Sequence, residues 1–290
     1  MKNLYNDCEQ KFYDDLNKAI VHHRENCFSF DKYLSSKKFK SVIDKNNINT
    51  LPYIHVSIFK RYSENLISIN KKDVLKKLSS SATSGLPSTI YLDKDALSQQ
   101  SKMMGDIMKD YLGNQRRPMV IYDLEPKKDS INDIGARYAA IAGYLRFSKG
   151  TFFALKKNQD KIYLDIEGLK KFILNNDNII HFGFTYIIFQ YLLNTDFQVD
   201  LQINNISSSS LIHIGGWKKL EANKVSKKIF DKLCKEKLQI NKVIDIYGFT
   251  ELMGINFPDC EYGWKHLPNN VKLVVRDEKT RVPVKNGNQG

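Results

Sequence analysis

The chain has 290 residues, of which 42% are hydrophobic and 27% charged, so it is long enough to bury a core and its composition argues against intrinsic disorder. Lys and Arg outnumber Asp and Glu by 45 to 32, and the resulting net charge of +13 would suit an anionic partner. The lysines are spread along the whole chain without an arginine-rich arm, so nucleic-acid binding ranks last among the candidate functions.

The sequence carries no recognisable export or membrane signal. Acidic residues occupy the N-terminus where a signal peptide would have an apolar run, and no apolar stretch approaches 18 residues. The four cysteines are far apart and form no C-x-x-C pair, which argues against a zinc site and a disulfide framework; they are Cys8, Cys27, Cys234 and Cys260. We therefore expect a soluble, cytoplasmic protein with no membrane insertion.

The N-terminal region predicts one helix followed by a segment with weaker patterning. Apolar residues recur at every fourth position from residue 4 to residue 20, which predicts an amphipathic helix with one apolar stripe. The stretch L-P-Y-I-H-V at residues 51–56 predicts an extended segment that enters the core, and residues 66–69 predict a strand. We expect residues 1–50 to form an N-terminal helical segment packed on a main domain of residues 51–290.

Beyond residue 88, predicted strands and helices alternate. A strand at residues 89–92 precedes a helix at 95–112, for which Asp93 is a suitable N-cap and Gly113 a suitable stop signal. Further strands are predicted at residues 118–124, 151–155, 162–165, 179–182, 211–214 and 243–247, and further helices at 134–147, 167–174, 185–193 and 221–238. This alternation predicts an α/β fold with parallel βαβ units and helices on both faces of the sheet. Residues 271–277 and the P-V-K-N-G that follows predict a hairpin.

A hydroxyl-rich stretch, S-S-S-A-T-S-G-L-P-S, runs from Ser79 to Ser88. Six hydroxyl side chains in ten residues cannot build a core, although ordered segments are predicted on both sides. Small residues, free N–H groups and hydroxyls suit a loop that binds phosphate, and they equally suit a flexible linker. The stretch alone leaves both alternatives open.

Two further motifs follow in the second half of the chain: I-H-I-G-G-W-K-K-L at residues 212–220 and D-I-Y-G-F-T-E-L at residues 245–252. In order and spacing, the hydroxyl-rich loop, the glycine pair and the Y-G-x-T-E pattern resemble the adenylate-forming superfamily of acyl-CoA synthetases and adenylation domains. Within that superfamily, H-x-G-G-W-K, P-D-C-E-Y-G-W-K-H-L-P and V-V-R-D-E-K-T resemble the acyl-protein synthetase family of the LuxE type, over about residues 50–290.

This resemblance implies the α/β fold of the large N-terminal domain of an adenylate-forming enzyme, with mixed and parallel sheets flanked by helices. The sequence ends at Gly290, before the position where the superfamily has its ribose-binding acid and C-terminal lid. We therefore expect residues 51–290 to form the adenylate-forming core without that lid.

The resemblance also implies a site for ATP and Mg²⁺ that uses all three motifs. The hydroxyl-rich loop would wrap the β- and γ-phosphates, Tyr247 would lie against the adenine and Thr250 would contact the α-phosphate. Glu251 would ligate Mg²⁺, which offsets the repulsion between ATP and an attacking carboxylate. Ala82 stands where the family usually has glycine, and its methyl group costs about 1 kcal/mol if φ is positive there. The implied ATP-binding residues are Ser80, Ser81, Thr83, Ser84, Gly85, Ser88, Gly215, Gly216, Tyr247, Gly248 and Thr250.

An acyl pocket is implied by the same resemblance, where an aromatic and apolar wall would suit a hydrophobic acid. Any buried corner between a strand and a helix would have a similar sequence, and Trp217 could instead anchor the following helix. The implied acyl-binding residues are Phe182, Gly183, Phe184, Thr185 and Trp217.

The implied catalytic residues are His213, Thr250 and Glu251. His213 could polarise the acyl carboxylate, or it could satisfy buried backbone groups. Cys260 and His266 are a second pair of chemical interest, but the resemblance places their segment in a structural loop rather than in a nucleophilic site.

The expected function is ATP-dependent activation of a fatty or related carboxylic acid to acyl-AMP, followed by transfer to a thiol. The thiol would belong to a protein cysteine, in a pathway with an acyl-CoA reductase partner, or to coenzyme A. The alternatives are an acyl- or aryl-CoA ligase of the same superfamily, and a truncated, catalytically silent scaffold that binds a nucleotide.

Overall fold

The computed structural model of the chain describes residues 9–80, 85–126, 136–198 and 208–285. These residues form two compact units. The first contains the described residues of Met1–Lys77, Leu86–Ser98 and Leu267–Gly290, and the second those of Leu78–Gly85 and Gln99–His266. The boundary predicted after residue 50 stays a prediction.

The N-terminal part of the chain is helical. Its helices are α1 (Glu9–Asn26), α2 (Phe28–Ser36) and α3 (Ser57–Arg61), and two short strands, β1 (Lys76–Ser79) and β2 (Thr89–Leu92), form a separate two-stranded sheet. Helix α4 (Lys94–Leu112) follows. The Asp93 carboxylate caps its start by accepting from the Ala96 N–H at 2.8 Å, and Gly113, with φ +80, ends it. The sequence predicted both the capping residue at the start of α4 and the glycine at its end.

The first unit has its own small core. Tyr13 of α1 and Leu34 of α2 pack with Phe39 and Ile43, and partly buried apolar residues of α1 complete the cluster. The Asn17 side chain ties this core together, because it donates to the Ile43 carbonyl and accepts from the Ile43 N–H, both at 2.8 Å. A half-buried amide that is satisfied in this way fixes the position of the chain after α2.

The second unit is built on a seven-stranded sheet. Its strands are β3 (Arg117–Leu124), β4 (Ser148–Asn158), β5 (Lys161–Leu164), β6 (Ile180–Phe184), β7 (Ser210–Ile214), β8 (Lys242–Tyr247) and β9 (Phe257–Pro258), in the order β5-β4-β3-β6-β7-β8-β9. The five central strands are parallel, and the two edge strands, β5 and β9, are antiparallel to their neighbours. Every residue of β6 is buried, as expected for a parallel strand that is covered on both faces.

Helices cover both faces of this sheet. They are α5 (Ala136–Tyr144), α6 (Ile166–Leu174), α7 (Thr185–Ile187, continued by a π-helical turn at Ile188–Leu193) and α8 (Lys227–Leu238). Tyr144 of α5 stacks on Phe182, and Phe230 of α8 packs on His213. Phe182 pairs with Ile212, the neighbour of His213, so Phe182 and His213 point to opposite faces and α5 and α8 lie on opposite sides.

Two assignments of secondary structure were wrong, and other elements were missed. Residues 66–69 form no strand: a 3₁₀ turn at Ser63–Leu66 precedes irregular backbone, because a short apolar run does not distinguish a strand from a buried turn. The helix predicted at 221–238 is divided into a 3₁₀ segment at Lys218–Asn223 and α8, since the Ser226 hydroxyl caps α8 by accepting from the Ile229 N–H at 3.3 Å. Helix α2 and edge strand β9 were not predicted.

Among the described helices, none has both the length and the apolar character that a membrane span requires.

Candidate functional site

The second and third sequence motifs meet at one edge of the sheet. Strands β6, β7 and β8 are parallel neighbours, with Phe184 paired to Ile214 and Ile214 paired to Ile246 at their carboxyl ends. The glycine pair follows β7 directly, and the Y-G-x-T-E segment begins at the last residue of β8. Ligands of open α/β sheets bind in the crevice outside the carboxyl ends of the strands, so this edge is the candidate site.

The glycine pair has the geometry that a close ligand contact requires. Gly215 has φ +84, a conformation that favours glycine, and a side chain at Gly216 would meet no atom within 4 Å. The Thr185 hydroxyl donates to the Gly215 carbonyl at 2.7 Å. The backbone at Gly216 is therefore open to a ligand, while the neighbouring Gly215 is held in place by the first residue of α7.

His213 lies beneath the glycine pair and is buried. Its Nδ1 atom lies 2.9 Å from the Thr185 hydroxyl and 3.7 Å from the Asp245 carboxylate. Its Nε2 atom lies 4.0 Å from the Asp231 carboxylate. Burial lowers the pKa of His213 below its usual value, and the two nearby carboxylates only partly oppose this effect. The imidazole is therefore neutral at neutral pH, and it contacts side chains rather than the backbone groups considered from the sequence.

A charged cluster surrounds His213 on the α8 side of the sheet. Lys227 forms ion pairs with Asp231 and with the buried Asp259, the latter at 2.8 Å. Partial desolvation of Lys227 opposes these contacts, and they raise its pKa nevertheless. Among the described residues, His213 Nε2 has no hydrogen-bond partner. The cluster fixes the carboxyl half of β8 through the Asp245 N–H, which donates to Asp259 at 2.8 Å.

The third motif presents aromatic surface and a carboxylate at the same edge. Tyr247 is 58% exposed and its ring lies 5.8 Å from that of Phe249, whereas Thr250 is buried. Glu251 lies on a 3₁₀ turn at Thr250–Leu252 and is half-buried. Gly248 follows the strand, and a Cβ atom added there would lie 3.6 Å from the Ile255 carbonyl oxygen. An exposed aromatic ring of this kind can stack on a flat base.

The described residues contain no group of three or more His, Cys, Asp or Glu side chains that could hold a metal ion. Proteins usually hold Mg²⁺ through one or two carboxylates together with substrate phosphates, rather than in a cage of protein ligands. A single accessible carboxylate at Glu251 fits that kind of shared site.

The structure describes six of the ten residues of the hydroxyl-rich loop. Ser81, Thr83 and Ser84, together with Ala82, lie outside the described residues. Ser80 is half-buried, Gly85 is exposed with φ +111, and the Ser88 side chain is buried at 1% exposure. The role of this loop in binding phosphate stays a prediction.

The residues predicted to bind an acyl group have unequal access to solvent. Phe182 and Gly183 are inside the core, where Phe182 stacks on Tyr144 with ring centroids 4.3 Å apart. Trp217 packs between Phe189 and Phe230, at 4.8 and 5.9 Å, which matches the anchoring role considered as its alternative. An acyl-binding role for these residues stays a prediction.

Sequence reasoning missed a cluster of charges at the end of β3. Arg137 donates to both oxygens of the buried Asp123, including a bond from Nε at 2.6 Å, and donates to the Tyr186 hydroxyl at 3.1 Å. Lys218 lies 4.9 Å from the centre of the Tyr186 ring. The pKa of Lys218 is lowered mainly by its partial burial and further by the nearby positive charge of Arg137. An aspartate at the end of a buried strand was the only sequence signal for this cluster.

Replacing Thr185 with Val should lower the free energy of unfolding by about 1–3 kcal/mol, because His213 and the Gly215 carbonyl lose a buried hydroxyl partner while the volume is kept. Urea denaturation followed by tryptophan fluorescence measures this, since both tryptophans, Trp217 and Trp264, belong to the second unit. Thr185→Ser is the matched control and should lose less. Equal losses in the two variants would contradict the role of the hydroxyl.

Three comparisons with known proteins bear on this site. The family described as acyl-protein synthetase, LuxE, matches residues 2–290. A long-chain-fatty-acid–luciferin-component ligase of Aliivibrio fischeri is 24% identical over 258 residues, which cover 84% of this chain and 64% of the relative. The ligase of the same name from Vibrio harveyi is 22% identical over 279 residues, covering 94% and 71%. The chain thus spans less than two thirds of the first relative.

Solved structures give the fold of the chain. An open conformation of 2-hydroxyisobutyryl-CoA ligase with 2-HIB-AMP and CoA has a TM-score of 0.57 at 9% identity, covering 86% of this chain and 52% of the ligase. The same ligase in its thioesterification state has a TM-score of 0.54 at 10% identity, covering 84% and 50%. At these identities the likeness concerns the fold alone, and it confirms the predicted α/β fold of an adenylate-forming enzyme.

Proposed function

The chain belongs to the LuxE family of acyl-protein synthetases, and from this membership we propose that it activates a long-chain fatty acid with ATP. The carboxylate oxygen attacks the α-phosphorus, acyl-AMP forms and pyrophosphate leaves. The acyl group then passes to a thiol, with release of AMP. The proposed acceptor is a protein cysteine, coenzyme A is the competing acceptor, and an acyl-CoA reductase in the cytoplasm is the proposed partner.

One observation carries this proposal: the glycine pair after β7 and the Tyr247–Glu251 segment after β8 lie at the same edge of the sheet. Under the proposal, the glycine pair Gly215 and Gly216, with open space at Gly216, and the exposed ring of Tyr247 bind the adenine, next to Gly248. Thr250 contacts the α-phosphate. The loop residues Ser80, Ser81, Thr83, Ser84, Gly85 and Ser88 bind the other phosphates.

Positive charge is needed where two anions react. Mg²⁺ bound by Glu251 and the phosphates supplies positive charge that offsets the repulsion between carboxylate and ATP. His213 is neutral in its buried position, so it adds no charge and acts by holding Thr185 and the glycine pair in place. Phe184, Thr185 and Trp217 border the proposed acyl pocket, and Phe182 and Gly183 form the packed layer behind it.

The test is ATP–pyrophosphate exchange on the full chain with added fatty acids. Exchange should depend on the acid and be faster with palmitate or myristate than with acetate or benzoate, because a long alkyl chain adds apolar contact. Incubation with labelled palmitate and either coenzyme A or a reductase preparation then identifies the thiol acceptor. If no acid stimulates exchange, the proposed reaction is wrong for this chain.

A further inference from the structure

The first compact unit contains a large cavity that shares no residue with the sheet edge. Its volume is about 870 Å³, near the upper end of the roughly 300–1,000 Å³ that is common for ligand pockets. Helix α2, the 3₁₀ turn at Ile48–Thr50, the following extended segment, α3 and Arg276 surround it. Apolar and aromatic side chains form most of its wall, among them Phe30, Leu51, Ile54, Ile58, Tyr62 and Leu66.

The charge in this cavity has one sign. Lys37 and Arg276 line it, and no acidic side chain is among its described lining residues. The Arg276 guanidinium is held in place because it donates to the Asn49 carbonyl at 2.8 Å and the Arg281 carbonyl at 3.1 Å, and it lies 5.2 Å from the centre of the Tyr53 ring. Neutral carbonyl partners leave its positive charge uncompensated.

The aromatic part of the wall is also fixed in advance. The Tyr33 hydroxyl donates to the Tyr53 carbonyl at 2.6 Å, which joins α2 to the extended segment that also lines the cavity. The Lys37 ammonium lies 5.9 Å from the centre of the Tyr33 ring, so the second cation is close to the same wall. A ligand would therefore meet a largely pre-formed site.

An apolar wall with two cations and no acid selects an anion that carries a large apolar body. We propose that this cavity binds a free long-chain fatty acid, with its carboxylate at Lys37 and Arg276 and its alkyl chain along Phe30, Leu51 and Ile58. The alkyl chain uses the volume, and the carboxylate matches the guanidinium fork. This site is separate from the proposed adenylation site and requires neither ATP nor turnover.

Fluorescence titration of the full chain with cis-parinaric acid, without nucleotide, tests the proposal. Binding should saturate, and palmitate should displace the probe. Lys37→Gln and Arg276→Gln should each weaken probe binding about tenfold, as expected for loss of a charged contact. Ile58→Trp should block binding by filling the cavity. Lys40→Gln, an exposed lysine that does not line the cavity, is the matched control and should bind like the unmodified chain.

Two controls separate the interpretations. Lys37 is exposed, so its replacement should leave the circular dichroism spectrum unchanged even if Arg276→Gln disturbs the Asn49 turn. Methyl palmitate lacks the charge and should displace the probe at least about tenfold less well than palmitate. The proposal is overturned if Lys37→Gln and Ile58→Trp both bind the probe within twofold of the unmodified chain, or if the ester competes as well as the acid. Failure of pyrophosphate exchange would leave this result unaffected.

Discussion

Replacing Glu251 with Gln should weaken binding of Mg²⁺-ATP by at least about a hundredfold. Glu251 is the half-buried carboxylate of the third motif, and the proposal makes it the protein ligand of Mg²⁺. Even partners that only orient metal ligands cost about 10–100-fold in affinity when they are removed, so a direct ligand should cost at least the upper value. Isothermal titration calorimetry on the full chain measures this, and acid-dependent exchange should fall in parallel.

Glu261→Gln is the matched control for that result. Glu261 is exposed, lies in the same compact unit and undergoes the same change of charge. It should bind Mg²⁺-ATP as the unmodified chain does. If the Glu251 variant binds Mg²⁺-ATP with an affinity within about threefold of the unmodified chain, then Glu251 is not the metal ligand. The role that the family resemblance implied for Glu251 would then be wrong.

The sheet edge could be predicted from the sequence because its signals are local. Strands and helices alternate, the glycine pair follows a continuous apolar strand, and parallel strands bring their carboxyl ends to one edge. The resemblance to the adenylate-forming superfamily assigned Gly215, Gly216 and the segment that begins at Tyr247 to one site, and the structure brings these segments to the same edge of the sheet. That assignment needed no knowledge of register.

The contacts below that edge depend on register and could not be predicted. Tyr122, Gly183, His213 and Asp245 are direct cross-strand partners, and that row places His213 under the glycine pair. A shift of one residue in any strand would have turned its side chains to the opposite face. The Thr185 hydroxyl contacts His213 and the Gly215 carbonyl, and no sequence pattern indicated these two contacts.

The cavity of the first unit escaped prediction for a different reason. The L-P-Y-I-H-V stretch was expected to enter the core, whereas Tyr53 is 51% exposed and the stretch lines an open cavity. A hydrophobic sequence pattern predicts that apolar groups will cover a segment and form contacts with it. It does not indicate whether the chain itself or a ligand provides them.

Replacing Arg137 with Met should lower the free energy of unfolding by about 3–5 kcal/mol, the usual cost of removing one partner of a buried ion pair. Asp123 is 1% exposed, and without Arg137 the donor that remains to it among the described residues is the Leu124 N–H at 2.7 Å. The reverse change, Asp123→Asn, should cost less, because the Arg137 side chain is 35% exposed and can reach water. Urea denaturation followed by tryptophan fluorescence reports on this unit.

The double variant Asp123→Asn with Arg137→Met separates loss of charge compensation from loss of packing. Removing the buried charge together with its partner should restore at least about half of the stability lost in the single Arg137 variant, since the desolvated carboxylate is the main cost. Arg116→Met is the control for an exposed arginine of the same compact unit and should cost less than about 1 kcal/mol. If the double variant is no more stable than the single one, the cost comes from the contacts of Arg137 with Phe184 and Tyr186, and the ion pair is not what holds the end of β3.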